Sequence, residues 1–180
     1  YLNEMRIVAD QYDAVLLGET LDETFQYDNA AKYVNPNALH GAFHFRLLHS
    51  KWSCDAFKEA IDAWILQLDE GQLPVWALSN HDFPRLATRW GKTAVKGALA
   101  LLFMLPGVPV LYNGDELGMR DGRLKRRDIK DPPGKKYWPF FKGRDGCRTP
   151  LYWDSSTHAG FTEGEPWLPL NSESIVSHCV

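Results

Sequence analysis

Short apolar runs, each cut off by polar residues, alternate along the chain with stretches in which apolar residues return every three or four positions. Residues 4–11 have helical spacing, with Met5, Val8 and Ala9 on one face. Ala14-Val15-Leu16-Leu17-Gly18-Glu19 then reads as a buried strand ending in Gly and Glu. A loop through Asp22, Asp28 and Asn29 leads to Pro36, and residues 40–48 form a second strand candidate. Ser53 is placed to cap a helix in which Phe57, Ala60, Ile61, Trp64, Ile65 and Leu68 keep helical spacing, and Gly71 ends it. Val75-Trp76-Ala77-Leu78 is a third strand, stopped by Ser79-Asn80-His81-Asp82. Residues 93–104, dense in Ala and Leu, predict a helix buried on more than one side. Pro106-Gly107 breaks it, and residues 108–112 are a fourth strand ending in Asn113-Gly114-Asp115-Glu116.

The predicted strand ends near Glu19, Leu48, Ser79 and Leu111 lie 29, 31 and 32 residues apart. A parallel βα unit takes roughly 30 residues, and a (β/α)8 barrel of about 250 residues averages about the same. The expected class is therefore α/β with a parallel sheet: half of a TIM barrel or a small doubly wound sheet. No Gly-x-Gly-x-x-Gly follows any strand, so the dinucleotide fingerprint is absent. Residues 119–165 break the pattern. They are rich in charge, Pro, Gly and aromatics, and predict a long ordered loop at the mouth of a site. Residues 166–180 carry no usable signal.

Composition narrows the classes. An apolar fraction of 44% in 180 residues supports a globular core. A net charge of −3 gives no reason to expect nucleic acid or an anionic membrane as partner, and no apolar run is long enough to span a bilayer. The basic residues Arg123, Lys125, Arg126, Arg127, Lys130, Lys135 and Lys136 are interleaved with Asp121, Asp128 and Asp131, which favours a solvated, internally paired loop. Cys54, Cys147 and Cys179 are odd in number and scattered, as expected of reduced thiols rather than of a disulfide framework or a zinc site. The chain opens in mid-pattern at Tyr1-Leu2-Asn3-Glu4 with no leader-like segment, and the expected compartment is cytoplasmic.

Candidate chemistry lies at the strand ends. Ser79-Asn80-His81-Asp82 is either a polar turn in which Asp82 caps the next helix or part of a site. In a parallel barrel, sites form at the carboxyl ends of strands, where Glu19 and Asp82 both fall. Two carboxylates there suit glycoside hydrolysis, in which one carboxyl acts as acid and another stays anionic beside an oxocarbenium-like transition state. His81 and Arg85 are candidates to hold hydroxyls or to tune those carboxylates.

Four motifs carry a resemblance. Leu16-Leu17-Gly18-Glu19 resembles the acid/base motif of the α-amylase superfamily of glycoside hydrolases, and Leu78-Ser79-Asn80-His81-Asp82 resembles its stabiliser motif. Residues 107–119, from Gly107-Val108-Pro109 to Leu117-Gly118-Met119, are similar to its eighth strand and following turn. Residues 143–154, Gly-Arg-Asp-Gly-Cys-Arg-Thr-Pro-Leu-Tyr-Trp-Asp, with Ala159-Gly160-Phe161, resemble its α-glucosidase and oligo-1,6-glucosidase branch. The resemblance implies strands five to eight of a (β/α)8 barrel, with Glu19 as acid/base and Asp82 as stabiliser. It also implies His81, Arg85 and Asn80 in contact with an α-linked glucosyl oligosaccharide; no cofactor or metal is expected at these residues.

Three departures stand out. The family's nucleophile, an aspartate in a Gly-x-Arg-x-Asp context, has no counterpart among these 180 residues. Tyr152 stands where glutamine is expected, and His44 where asparagine is common, which is expected to alter sugar contacts. The chain thus reads as a partial catalytic domain over 1–180, inactive alone and prone to self-association through an open sheet. Three other readings compete with hydrolysis: a trehalose-forming or other transglycosylating relative, a non-catalytic amylase-like binding protein, and a metallophosphoesterase using Asn80-His81-Asp82 with His40, His44 and His49.

Overall fold

The computed structural model describes residues 1–20 and 27–171. The expected loop position Asp22 and the third cysteine, Cys179, lie outside that range. The described elements are α1 (Leu2–Gln11), β1 (Leu17–Gly18), β2 (Gly41–His44), α2 (Arg46–His49), α3 (Cys54–Ile65), β3 (Val75–Ala77), α4 (Leu86–Arg89), α5 (Val95–Met104), β4 (Val108–Val110) and α6 (Pro132–Tyr137), with short 3-10 turns between them. The strands form one sheet in the order β1-β2-β3-β4. Every pairing is parallel, with Leu17 opposite Gly41, Phe43 opposite Val75, and Val75 opposite Val108.

The chain divides into two compact units, residues 1–78 with 100–110, and residues 79–99 with the described residues from 111 onward. The first holds the sheet. Ala42, Leu47, Leu48, Trp64, Val75 and Trp76 are fully buried there. The Trp76 indole N–H donates to the Pro106 carbonyl at 2.7 Å, so its one polar atom is satisfied inside the core. Phe57, Ala60 and Trp64 form the buried face of α3, whose amino end is capped by Ser53 Oγ accepting from Ala56 N at 3.3 Å. Gly107 has a φ of +104°, and a Cβ there would meet the Pro74 carbonyl oxygen. That close approach lets Val108 N donate to the same carbonyl at 2.8 Å and starts β4 beside β3.

Several expectations are corrected. The strand read over 14–19 pairs only at Leu17–Gly18, and it is not buried: Val15 is 68% exposed and Leu17 45%. β1 is an edge strand, with β2 on one side only. The strand read over 40–48 stops at His44, because Phe45 takes φ −89°, ψ 0° and leads into α2. Observed strand ends at Gly18, His44, Ala77 and Val110 therefore fall 26, 33 and 33 residues apart, a looser period than the sequence suggested. Helix α5 buries one stripe, Val95, Ala98 and Leu102, and exposes Phe103 and Met104, so it is not covered on several sides. Of the apolar face expected on α1, only Ala9 is buried.

Within the sheet unit, a recess of about 620 Å³ opens at the amino ends of the strands. Leu17, Gly41, Val75 and Val108, the first residue of each strand, line it together with the apolar side chains of Val15 and Leu73. In the other unit Met119, Leu151, Tyr152 and Ala159 form a small apolar cluster. Among the described residues no helix is long and apolar enough to cross a membrane.

Candidate active site

The turn after β3 is set by side chains bonding to nearby backbone. Ser79 Oγ is buried and accepts from Leu86 N at 2.9 Å, at the start of α4. Asn80 Oδ1 accepts from Asp82 N at 2.9 Å and Phe83 N at 3.0 Å, an Asx turn that fixes the direction of the chain through Asp82. The alternative in which Asp82 caps the following helix is thereby replaced: Ser79 bonds that helix's first N–H, and the Asp82 side chain is left for other partners.

Those partners come from the 143–148 turn. Arg144 Nη1 and Arg148 Nη2 both donate to Asp82 Oδ1, each at 2.9 Å. Arg148 also donates from Nε to the His81 carbonyl at 2.7 Å, which ties the backbone at 81 and the side chain at 82 to one guanidinium. Asp82 keeps 32% of its side-chain surface open, and His81 stands beside it with Nε2 3.6 Å from the same oxygen. An ion-paired carboxylate and an exposed imidazole thus share one accessible spot.

Arg85, expected beside a ligand, is instead fully buried. Its Nη1 donates to the Asn113 carbonyl, Nη2 reaches Asn113 Oδ1 and the Thr149 carbonyl at 3.4 Å each, and the guanidinium lies over Tyr112 at 5.2 Å. Its amide N donates to Asp121 Oδ1 at 2.8 Å. It holds three chain segments together, and a direct ligand contact is replaced by that role. Asn80, a second expected ligand contact, has its oxygen committed to the turn. Asp115 is buried next to Arg85, Arg89 and Glu116, and burial pushes its carboxyl up to about 7 despite the Ser79 hydrogen bond and the arginines that pull it down. Burial likewise raises the Cys147 thiol to about 11, which makes it a packed, unreactive sulfur.

Glu19 belongs to the sheet unit, is exposed, and directly follows Gly18, the last residue of β1. The 79–82 turn follows Leu78, one residue past β3. The two substituted positions among those departures, Tyr152 and His44, are both packed away. Tyr152 is buried in the Met119 cluster with its hydroxyl donating to the Asn171 carbonyl, and His44 is buried and stacked on Trp64 at 4.7 Å. His40 accepts from Leu16 N at 3.0 Å through Nδ1 and faces Asp10 at 3.2 Å through Nε2, a bridge within the sheet unit. Among the described residues no three His, Cys, Asp or Glu side chains converge as metal ligands would.

Sequence reasoning missed Arg144, Arg148 and Asp131. The signal was present in Gly143-Arg144-Asp145-Gly146-Cys147-Arg148, but spacing does not say that two arginines more than 60 residues away meet Asp82.

Residues 1–176 match the family described as the alpha-amylase catalytic domain. A probable alpha-glucosidase of Rhizobium meliloti (strain 1021) is 33% identical over 97% of this chain and 33% of its own length. An oligo-1,6-glucosidase of Parageobacillus thermoglucosidasius is 32% identical over 95% of this chain and 37% of its own. The chain thus spans about a third of the length of these relatives. Among solved structures, the alpha-glucosyl transfer enzyme XgtA superposes with a TM-score of 0.86 at 38% identity, over 96% of this chain and 33% of that one. The trehalulose synthase MutB from Pseudomonas mesoacidophila MX-45 superposes with a TM-score of 0.80 at 28% identity, over 97% of this chain and 38% of that one.

Proposed function

From the premise that the chain belongs to the α-amylase family of glycoside hydrolases, a TIM-barrel family, we propose that it supplies strands five to eight of the barrel and two of the catalytic carboxyls of a retaining α-glucosidase. The substrate is an α-linked glucosyl oligosaccharide. Glu19 protonates the leaving oxygen and then activates water. Asp82 stays anionic, holds the sugar and favours the positively charged ring, with His81 bonded to a hydroxyl.

One observation carries this reading: Asp82 is gripped through a single oxygen by Arg144 and Arg148, yet remains partly exposed beside an exposed imidazole. Such a carboxylate is oriented before substrate arrives and needs little reorganisation as charge develops. Retention also needs a nucleophile to form the glycosyl-enzyme bond. No Gly-x-Arg-x-Asp segment occurs among the 180 residues, so the nucleophile comes from polypeptide outside these residues, and residues 1–180 by themselves are inactive. The recess at the strand ends and the edges β1 and β4 are what that polypeptide, or a second copy of the chain, would cover.

Likeness to an alpha-glucosyl transfer enzyme favours a second reading, transfer of the glucosyl group to a sugar hydroxyl in place of water, with the same residues in the same roles.

The test is an assay with an aryl α-glucoside, using the chain alone and mixed with the N-terminal half of a full-length relative. Activity appears only in the mixture, and Glu19→Gln lowers it by about 10²–10⁴-fold, the usual contribution of a general acid. Activity of the chain alone that survives Glu19→Gln overturns the proposal. The ratio of transfer to hydrolysis products, read in the same mixture with maltose added, separates the two readings.

A further inference from the structure

Behind the Asp82 ion pair two loop segments, 130–131 and 144–145, hold each other by exchanging carboxylates. Asp145 Oδ2 accepts from Lys130 N at 2.6 Å and Asp131 N at 2.8 Å. In return Asp131 Oδ2 accepts from Arg144 N at 2.9 Å. Asp131 then takes the Arg144 guanidinium as well, from Nε to Oδ2 at 3.3 Å and from Nη2 to Oδ1 at 2.8 Å. This is a fork on a carboxylate, the arrangement that fixes a guanidinium in plane and direction. One remaining N–H, on Nη1, meets Asp82 Oδ1 at 2.9 Å.

Burial gives the relay a direction. The side chains of Asp131 and Asp145 are buried, while Arg144 is 37% exposed and Asp82 32%. Arg144 is rooted at its buried end and presents its outer edge to Asp82. The backbone is shaped to this contact. Gly143 has a φ of +76°, and a Cβ there would sit 2.7 Å from Asp131 Oδ2; one on Gly134 would sit 2.6 Å from the Lys142 carbonyl oxygen. A free arginine side chain samples many rotamers, and the fork restrains that freedom before any ligand binds.

We propose that Asp131 is a positioning residue for Asp82, acting through Arg144. It touches neither ligand nor reacting atoms. It aims one guanidinium N–H at Asp82 Oδ1, while Arg148, anchored separately on the His81 carbonyl, supplies the other. The importance given to Asp82 rests on the proposed function; the link from Asp131 to Arg144 to Asp82 does not.

Arginine side-chain NMR of the chain tests the link. In the unsubstituted protein the Nε and Nη protons of Arg144 are expected to exchange slowly and give separate resonances. Asp131→Asn is expected to lose both the Asp131 and the Asp82 bonds, whereas Asp82→Asn loses only the second. Arg144→Lys is the companion variant should Asp131→Asn fold poorly, because an ammonium can pair with Asp131 but has no fork with which to reach Asp82 as well. Persistence of the Arg144–Asp82 bond in Asp131→Asn, or an unchanged pose of Asp82 in Arg144→Lys, overturns the proposal. In the complemented enzyme, Asp131→Asn is expected to lower kcat tenfold or more with KM within about twofold, and Asp131→Glu to restore part of it. Loss of the bond with kcat unchanged also overturns the positioning role. Full activity in Asp82→Asn would instead sink the proposed function and leave the link standing.

Discussion

The sheet unit and the loop unit are built by different forces. In the first, Leu47, Leu48, Trp64, Val75 and Trp76 are fully buried, and area removed from water does most of the stabilising. In the second, Arg85, Asp115, Asp131 and Asp145 are buried as well, and the segments are tied by charge-assisted hydrogen bonds to carbonyls and amides far along the chain. Apolar burial is non-directional and tolerates small shifts. A guanidinium shared between carbonyls at 113 and 149 does not. Residues expected to do chemistry in the second unit are therefore held by the more directional set of bonds.

That contrast can be broken at each end. The largest effect is expected from Leu47→Ala in the sheet core, about 2–5 kcal/mol lost in urea unfolding by transfer and cavity terms. Arg85→Met comes next, with about 2–3 kcal/mol lost as the carbonyls of Asn113 and Thr149 lose a charged donor. Hydrogen exchange checks the location of that loss: amides near 113–121 and 145–149 open, while those of β2 and β3 keep their protection. Equal loss of protection in the strands would show that the polar set supports the sheet too.

Per pH unit, the smallest expected effect is a slope against pH. Burial holds the Asp115 carboxyl up at about 7 in the folded chain, above its ordinary value of 3.8. Between those values the folded state binds the proton and the unfolded state does not. The unfolding free energy contributed by this group therefore falls as pH rises from about 4 to about 7, by at most about 1.4 kcal/mol per pH unit. Asp115→Asn should flatten that part of a stability–pH curve measured by thermal melting, with Arg85, Arg89 and Glu116 left unchanged. A curve with the same slope in the variant would place the titration elsewhere.

Much of the sheet was legible in advance. Residues 75–78 are an apolar run between turn signals, and Val75–Ala77 form the buried strand that pattern implies. The Ser53 cap and the Phe57, Ala60 and Trp64 positions of α3 were equally plain, but the helix read as running on to Gly71 ends at Ile65, which is exposed. Strand lengths were not, because an apolar run does not say where its neighbour stops pairing; the 40–48 run held both β2 and the start of α2. In the loop unit the motif at 143–148 was visible as a motif. Its contact with Asp82 was not, and Arg85 was assigned to a ligand when its Nη1 and Nη2 donors bond to the protein.

Periodicity and local turn chemistry are properties of neighbours in the chain. From them follow the α/β alternation, the parallel strands and the arrival of Glu19 and the 79–82 turn just past strands, while the family came from the resemblance of four motifs. Which residues are buried on α1 and α5, that Tyr152 and His44 are packing residues, and that Asp131, Arg144 and Arg148 converge on one carboxylate were decided by tertiary structure. Those outcomes depend on groups tens of residues apart meeting at hydrogen-bond distance, and no local pattern specifies such a meeting.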